Sequence, residues 1–188
     1  MKNKYHIILA SKSPRRQELL RGLDVDFEVH VKEGIDESFP DNLEAEQVPV
    51  YISQKKAAAY DITEGNMLIT ADTVVVADGE ILGKPRDAEQ AAAMLRKLSG
   101  KTHTVTTGVT MKTCSRQVSF PVTTKVTFRE LKDEEINYYI TNYKPFDKAG
   151  AYGVQEWIGY IAVTRLEGSY FNVMGLPVQR IYDELMKF

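Results

Sequence analysis

The sequence predicts an α/β fold, a mixed β-sheet with helices packed on it. Two observations carry that expectation. Strand-like apolar runs alternate with stretches of helical spacing along the chain. Two threonine- and valine-rich runs, 102–111 and 117–128, are separated only by a polar connection, as the strands of an antiparallel pair are. No internal repeat, low-complexity tract or flexible linker interrupts the pattern.

The elements follow in order. Ile7-Ile8-Leu9 reads as a buried strand and gives way to Ser11, Lys12 and Ser13. Ser13 suits an N-cap, because its hydroxyl can accept an unpaired amide of the first turn, and Pro14 suits the next position, where no amide donor is required. The helix so begun puts Leu19, Leu20 and Leu23 on one face and ends near Gly22. Residues 27–31 alternate apolar and polar as a half-buried strand does. Gly34 and Pro40 mark 32–42 as a loop, which carries Asp36 and Glu37. Helical spacing returns over 44–60 through Val48, Ile52 and Ala59, with Pro49 acceptable only in the first turn. Residues 67–77 are rich in β-branched side chains and end at the hairpin signal Asp78-Gly79. Gly83-Lys84-Pro85 presents one lysine rigidly. Asp87-Ala88-Glu89-Gln90 resembles a capping box and opens a helix through Ala91, Met94, Leu95 and Leu98 that closes at Ser99-Gly100. Beyond the antiparallel pair, 133–143 is a short helix with Ile136, Tyr139 and Ile140 inward, 158–166 a strand and 178–186 a final helix.

Composition sets outer limits. A chain of 188 residues makes one large domain or two small lobes, and 43% apolar with 27% charged residues is ordinary for a globular protein. A formal net charge of −2 argues against a nucleic-acid partner, which requires a basic face. Cys114 is the only cysteine and has no internal disulfide partner; no signal peptide and no apolar run of membrane-spanning length is visible. The expectation is a cytoplasmic protein without a membrane partner. His6, His30 and His103 lie apart, without metal-ligand spacing, and read as structural or surface residues.

Two features ask for a ligand. Arg15 and Arg16 fall in the first turn of a helix, where the dipole and the unpaired amides are already positive. An anion offsets that charge, and phosphate fits best, since amides, serine hydroxyls and guanidinium groups all donate to its oxygens. The arginines could instead face solvent or pair with Glu18 or another carboxylate. Asp72 stands in the middle of an apolar β run, where burying even a neutral polar group costs about 2–7 kcal/mol. It must meet a cation, a metal or a wet cleft, unless it caps its own backbone at a bulge.

Taken together, Ala10-Ser11-Lys12-Ser13-Pro14-Arg15-Arg16-Gln17-Glu18-Leu19-Leu20, Ala71-Asp72-Thr73-Val74-Val75, Gly83-Lys84-Pro85, Leu98-Ser99-Gly100, Asp147-Lys148-Ala149-Gly150-Ala151-Tyr152-Gly153-Val154-Gln155 and Val173-Met174-Gly175-Leu176-Pro177 resemble the Maf family, in the family's order and over nearly the whole chain. The resemblance implies a single domain with an elongated central mixed sheet flanked by helices, similar to inosine triphosphatases, with its lobes around a nucleotide cleft, often as a homodimer. It implies a nucleoside triphosphate pyrophosphatase, which hydrolyses the bond between α- and β-phosphates, and an association with septum arrest. By the same resemblance Ser11, Ser13, Arg16, Lys56, Lys84 and Lys148 bind phosphate, Asp72 is the general base, a ligand of a divalent cation (Mg2+ or Mn2+) or both, and Glu37 holds that cation or assists the attacking water. Two carboxylates suit such a hard cation, which keeps several waters.

The branch of the family acting on dTTP and UTP carries Arg, Thr and Gln where the branch acting on 7-methyl-GTP differs; here those positions are Arg15, Thr73 and Gln155. A neutral amide can both donate to and accept from a uracil or thymine edge, whereas a glutamate can only accept. One departure stands out. The branch continues Gln-Gly, but this chain has Gln155-Glu156-Trp157. A Glu156 turned into the base pocket would broaden or shift the preference, and one facing solvent would change nothing. Competing readings are a non-catalytic nucleotide sensor in cell division, against which Asp72 and Glu37 both speak, and a pyrophosphatase for another base such as 7-methyl-GTP or ITP.

Overall fold

A computed structural model describes residues 4–188. One mixed seven-stranded sheet is built from β1 (His6–Leu9), β2 (Phe27–Val29), β3 (Asn66–Ala77), β4 (Glu80–Leu82), β5 (Thr102–Lys112), β6 (Gln117–Phe128) and β7 (Val163–Glu167). The order is β2-β1-β3-β5-β6-β7, with β4 paired to β3. β1 is parallel to both β2 and β3, while β4 on β3 and β7 on β6 run antiparallel. The helices are α1 (Pro14–Arg21), α2 (Val48–Ala58), α3 (Ala88–Leu98), α4 (Asp133–Tyr143), α5 (Trp157–Ala162), α6 (Tyr170–Met174) and α7 (Val178–Leu185). The expected mixed sheet with flanking helices is thus present. Among the described residues no helix is long and apolar enough to cross a membrane.

The chain divides into two compact units. The first holds the residues up to Asp72 together with 107–122 and 175–188; the second holds 73–106 and 123–174.

In the first unit, α1 starts as its sequence dictates. The Ser13 hydroxyl accepts the Arg16 amide at 3.4 Å and Pro14 occupies the first turn. Gly22 closes the helix with its amide 3.0 Å from the Glu18 carbonyl. α2 begins only at Val48, because 44–47 form a turn in which the Gln47 amide donates to the Glu44 carbonyl at 2.8 Å, and Pro49 accordingly lies in the first helical turn. β5 meets α2 at Gly108, where a Cβ would lie 2.2 Å from the Pro49 and Val50 backbone, a distance only glycine permits. Ser53 on α2 bonds Thr110 at 2.8 Å and accepts Thr70 through its carbonyl at 2.7 Å, so the polar groups of this packed layer satisfy one another. Leu68, Ala57 and Tyr60 form a small apolar cluster with Ile8 and Ile35 against it.

The second unit carries the larger core, with Leu95, Leu98, Phe128, Ile136, Tyr139 and Ile158 almost fully buried. Its hairpin from β3 to β4 uses Asp78 at φ 53° and Gly79 at φ 79°, the left-handed pair that a tight two-residue turn requires. Asp87 caps α3 by accepting the Gln90 amide at 2.8 Å; the Gln90 side chain returns to the Arg86 amide at 2.7 Å rather than to the cap itself. The expected pairing of β5 with β6 is written in hydroxyls. Thr102 meets Thr127 at 2.8 Å and Thr106 meets Thr123 at 2.9 Å, and within the first unit Thr110 meets Ser119 at 2.9 Å. Each step of four along one strand matches a step of four back along the other, which is antiparallel register.

One expectation fails in part. Residues 158–166 are not a strand throughout: 157–162 are helical as α5, and β7 starts only at Val163. A short apolar run does not declare its period, and here local bonds decide it. The Gly159 amide donates to the Glu156 carbonyl at 2.8 Å, and the absence of a side chain lets Gly159 sit on the Val154 carbonyl, where a Cβ would come within 1.8 Å. The motif-rich segments also gain structure, a 3-10 turn at Ala149–Ala151 and the short α6.

His103 is the buried histidine, bonded through Nε2 to the Tyr152 hydroxyl at 2.7 Å and edge-on to Phe128. Burial lowers its pKa from 6.5 to about 4. The unfolded chain therefore takes up a proton below pH 6.5 that the folded protein refuses until about pH 4. Stability from this residue is complete above pH 6.5 and is lost as pH falls through that window. By linkage the loss between pH 7.5 and pH 5 is about 2 kcal/mol. Urea unfolding of wild type and His103→Phe at those two pH values checks this: the variant is less stable at pH 7.5, and its decline to pH 5 is smaller than that of wild type by that amount.

Candidate active site

Asp72 ends the part of β3 that belongs to the first unit, directly after the fully buried stretch Met67, Leu68, Ile69, Thr70 and Ala71. Its carboxylate meets a cation. Lys56 Nζ lies 2.9 Å from Asp72 Oδ1 and 3.2 Å from Glu37 Oε1, so one ammonium bridges two acids from separate parts of the chain. Lys56 stands in the last turn of α2, where a positive charge also meets the negative end of the helix dipole. The side chains of Lys56 and Asp72 are about five-sixths buried, at 15% and 16% exposure, whereas that of Glu37 is 55% exposed.

The preceding residue holds the loop in place. Lys55 Nζ donates to Asp36 Oδ2 at 2.8 Å and to the Ser38 carbonyl at 2.9 Å, and Asp36 accepts the Ser38 amide and hydroxyl at 2.9 and 2.6 Å. These bonds, led by that from Lys55, hold the Asp36 carboxyl far below the usual carboxylate range. Two successive lysines of α2 thus fasten the loop at Asp36 and at Glu37. The loop-fastening role of Lys55 is invisible without the fold, because its partner lies 19 residues away.

At the start of α1, both serine hydroxyls serve the backbone. Ser11 Oγ accepts the Ser13 amide at 3.2 Å, and Ser13 Oγ caps the helix. Arg16 donates from Nε to the Gly175 carbonyl and from Nη1 to the Ala71 carbonyl, both at 2.8 Å. It therefore ties α1 to the residue before Asp72. Burial lowers the Arg16 pKa, and the nearby Asp72 charge works in the opposite direction. Arg15 is half-buried on the same turn.

The second unit holds the remaining candidates. Thr73 is half-buried on β3, and Lys84 is exposed on the loop after β4. That loop is fastened by the Gly150 amide, which donates to the Gly83 carbonyl at 3.1 Å. Gly150 adopts φ 68° and a Cβ there would meet the Val75 side chain at 3.0 Å, so glycine is required twice over. Lys148 is buried and paired with two carboxylates, Asp147 and Glu156, each at 2.9 Å. The Tyr139 hydroxyl donates to Glu156 and accepts the Gly153 amide at 3.1 Å. Burial, reinforced by Glu156, raises the Tyr139 pKa well above its usual value. Gln155 keeps a buried Oε1 that has no hydrogen-bond partner among the described residues. Glu156 thus neither faces open solvent nor stands unpaired.

The fit of a divalent cation can be judged from these donors. Glu37 and Asp72 offer only carboxylate oxygens, and both already converge on one positive group. That is the chemistry a hard cation takes. Among the described residues no group of three or more His, Cys, Asp or Glu forms a complete cage, so water and ligand oxygens would fill the remaining positions.

Comparison with known proteins agrees with the motifs. The family model described as Maf-like protein matches residues 6–188. A dTTP/UTP pyrophosphatase of Phocaeicola vulgatus is 59% identical over 186 residues, covering 98% of this chain and 96% of the relative. One of Porphyromonas gingivalis is 54% identical over 189 residues (98% and 95% covered), and one of Parabacteroides distasonis 54% identical over 187 residues (98% and 97%). Among solved structures a HAM1 protein from Coxiella burnetii aligns over 98% of this chain and 100% of its own, with 14% identity and a TM-score of 0.46. At that score the fold description rests on the strand order and not on the superposition.

Proposed function

The chain belongs to the Maf-like family, and from that premise we propose that it is a nucleoside triphosphate pyrophosphatase acting on dTTP and UTP, releasing the monophosphate and pyrophosphate. The observation that carries the proposal is the convergence of Asp72 and Glu37 on Lys56. Relatives at 54% identity and above, named as dTTP/UTP pyrophosphatases, support it.

In this reading Asp72 accepts the proton of the water that attacks the α-phosphorus, and Glu37 assists in orienting that water. Lys56 offsets the repulsion between the two carboxylates, which allows both to stand at one place without burying an uncompensated charge. A triphosphate brings about four negative charges, and more charge gathers on the pyrophosphate as it leaves. Ser11, Ser13, Arg16, Lys56 and Lys84 are the groups assigned to that charge; Lys148 is already offset by two carboxylates. A divalent cation held by Asp72 and Glu37 would add electrophilic stabilisation of the phosphoryl oxygens. Arg15, Thr73 and Gln155 are assigned to the base. The unpartnered Oε1 of Gln155 supports that assignment, because a buried acceptor left without a donor costs about 1–3 kcal/mol and a ring N–H supplies one.

Two outcomes test the reading. Asp72→Asn removes the proton acceptor while leaving the side chain's size unchanged, and turnover of dTTP should fall about 10²–10⁴-fold with nucleotide binding retained. Full activity in that variant removes Asp72 from the mechanism. Gln155→Glu should lower kcat/KM for dTTP relative to 7-methyl-GTP by about tenfold or more, since the new carboxylate cannot donate. Separate incubations with magnesium and each nucleotide, followed by analysis of phosphate products, read both; an unchanged ratio would place base recognition elsewhere.

A further inference from the structure

Glu156 is held at both ends of its carboxylate. Oε1 lies 2.9 Å from Lys148 Nζ, and Oε2 accepts the Tyr139 hydroxyl, which is itself fixed by the Gly153 amide at 3.1 Å. Lys148 is buried and has Asp147 on its other side at 2.9 Å, so the pair is a built ionic contact and not a surface accident.

The neighbouring amide shares that environment. A Cβ placed on Gly153 would lie 3.1 Å from Glu156 Oε2 and 3.1 Å from Gln155 Nε2, so the carboxylate oxygen and the amide nitrogen crowd one face of the same glycine. On the opposite end, Gln155 Oε1 is buried and has no hydrogen-bond partner among the described residues. An amide left to itself turns its oxygen towards a donor. Among the described residues nothing bonds this oxygen, and the Glu156 carboxylate near the nitrogen end favours the NH2 group there over the carbonyl.

We propose that Glu156, anchored by Lys148 and Tyr139, fixes the sense of the Gln155 amide and is thereby the positioning residue that makes this protein prefer uracil and thymine over cytosine. The inference rests on the reading of the chain as a pyrimidine nucleotide pyrophosphatase with Gln155 at the base. Uracil and thymine present a donor at N3 beside an acceptor at O4; cytosine presents an acceptor at N3 beside an amino donor. An amide free to flip serves either order, and a fixed amide serves one. Lys148 then belongs to the support of the base reader and not to the phosphate.

The test measures binding of UMP and CMP by titration calorimetry, and turnover of UTP and CTP, for wild type, Glu156→Gln and Tyr139→Phe, with thermal melts of each. Glu156→Gln, which keeps the shape but removes the charge, should lower the uridine-over-cytidine preference about five- to tenfold in both readouts. Tyr139→Phe, which frees one carboxylate oxygen and keeps the charge, should lower it in the same direction by less. A folded Glu156→Gln protein with the wild-type ratio overturns the proposal, as does a wild type that binds UMP and CMP equally. If Glu156→Gln fails to fold, an unchanged ratio in Tyr139→Phe overturns it. A wild type that hydrolyses neither nucleotide, yet shows a Glu156-dependent binding preference, sinks the pyrophosphatase reading and leaves this one standing.

Discussion

The ammonium of Lys56 is the contact on which the first unit's candidate site depends. Without it, two carboxylates brought together by β3 and the 34–38 loop would face one another with no compensating charge, and the mostly buried Asp72 would carry a cost of several kcal/mol. The surroundings are arranged to keep that ammonium in place. Gly108 lets α2 lie directly on β5, Ser53 and Thr70 lock the helix to the sheet, and the last turn of α2 then delivers Lys55 and Lys56 to the same loop. Packing decisions made by a glycine and two hydroxyls therefore fix the position of a charge.

Arg16 works on the same strand. By taking the Ala71 and Gly175 carbonyls it satisfies two backbone acceptors at once, one immediately before Asp72 and one at a glycine with φ 114°. Hydrogen bonds from a charged donor are worth about 1.5–3 kcal/mol each, so these contacts offset the electrostatic loss of an arginine in the first turn of α1. An anion is therefore not needed to explain why Arg16 is tolerated there.

Much of this was legible in the residues. The cap at Ser13, the left-handed turn at Asp78-Gly79 and the helix over 133–143 follow from local chemistry that acts within a few residues, and the mixed sheet from the alternation of strand and helix signals. Asp72 announced itself as a carboxylate needing a cation, because an acid in an apolar strand has few other ways to persist. What stayed hidden depended on distant partners. The run after Trp157 reads as a strand until Gly159 is seen pressed on the Val154 carbonyl. Tyr139 has the spacing of a core residue, and its hydroxyl finds Glu156 17 residues later, a separation that no periodicity encodes. Lys148 looks like any lysine in a motif, and only its two carboxylate neighbours show that its charge is already occupied.

The lysines assigned alike from sequence differ in what a ligand could ask of them, and exposure is the reason. Glu37 keeps 55% of its side chain in contact with solvent, so Lys56 can exchange that partner for a phosphate oxygen while water takes over the carboxylate. Glu156 is only 21% exposed and Lys148 only 8%, and drawing that ammonium away would leave a mostly buried carboxylate unpaired, at a cost of about 3–5 kcal/mol. A phosphate would have to supply that difference before gaining anything. The partly wet pair is suited to binding and release, and the dry pair is suited to holding its neighbours still.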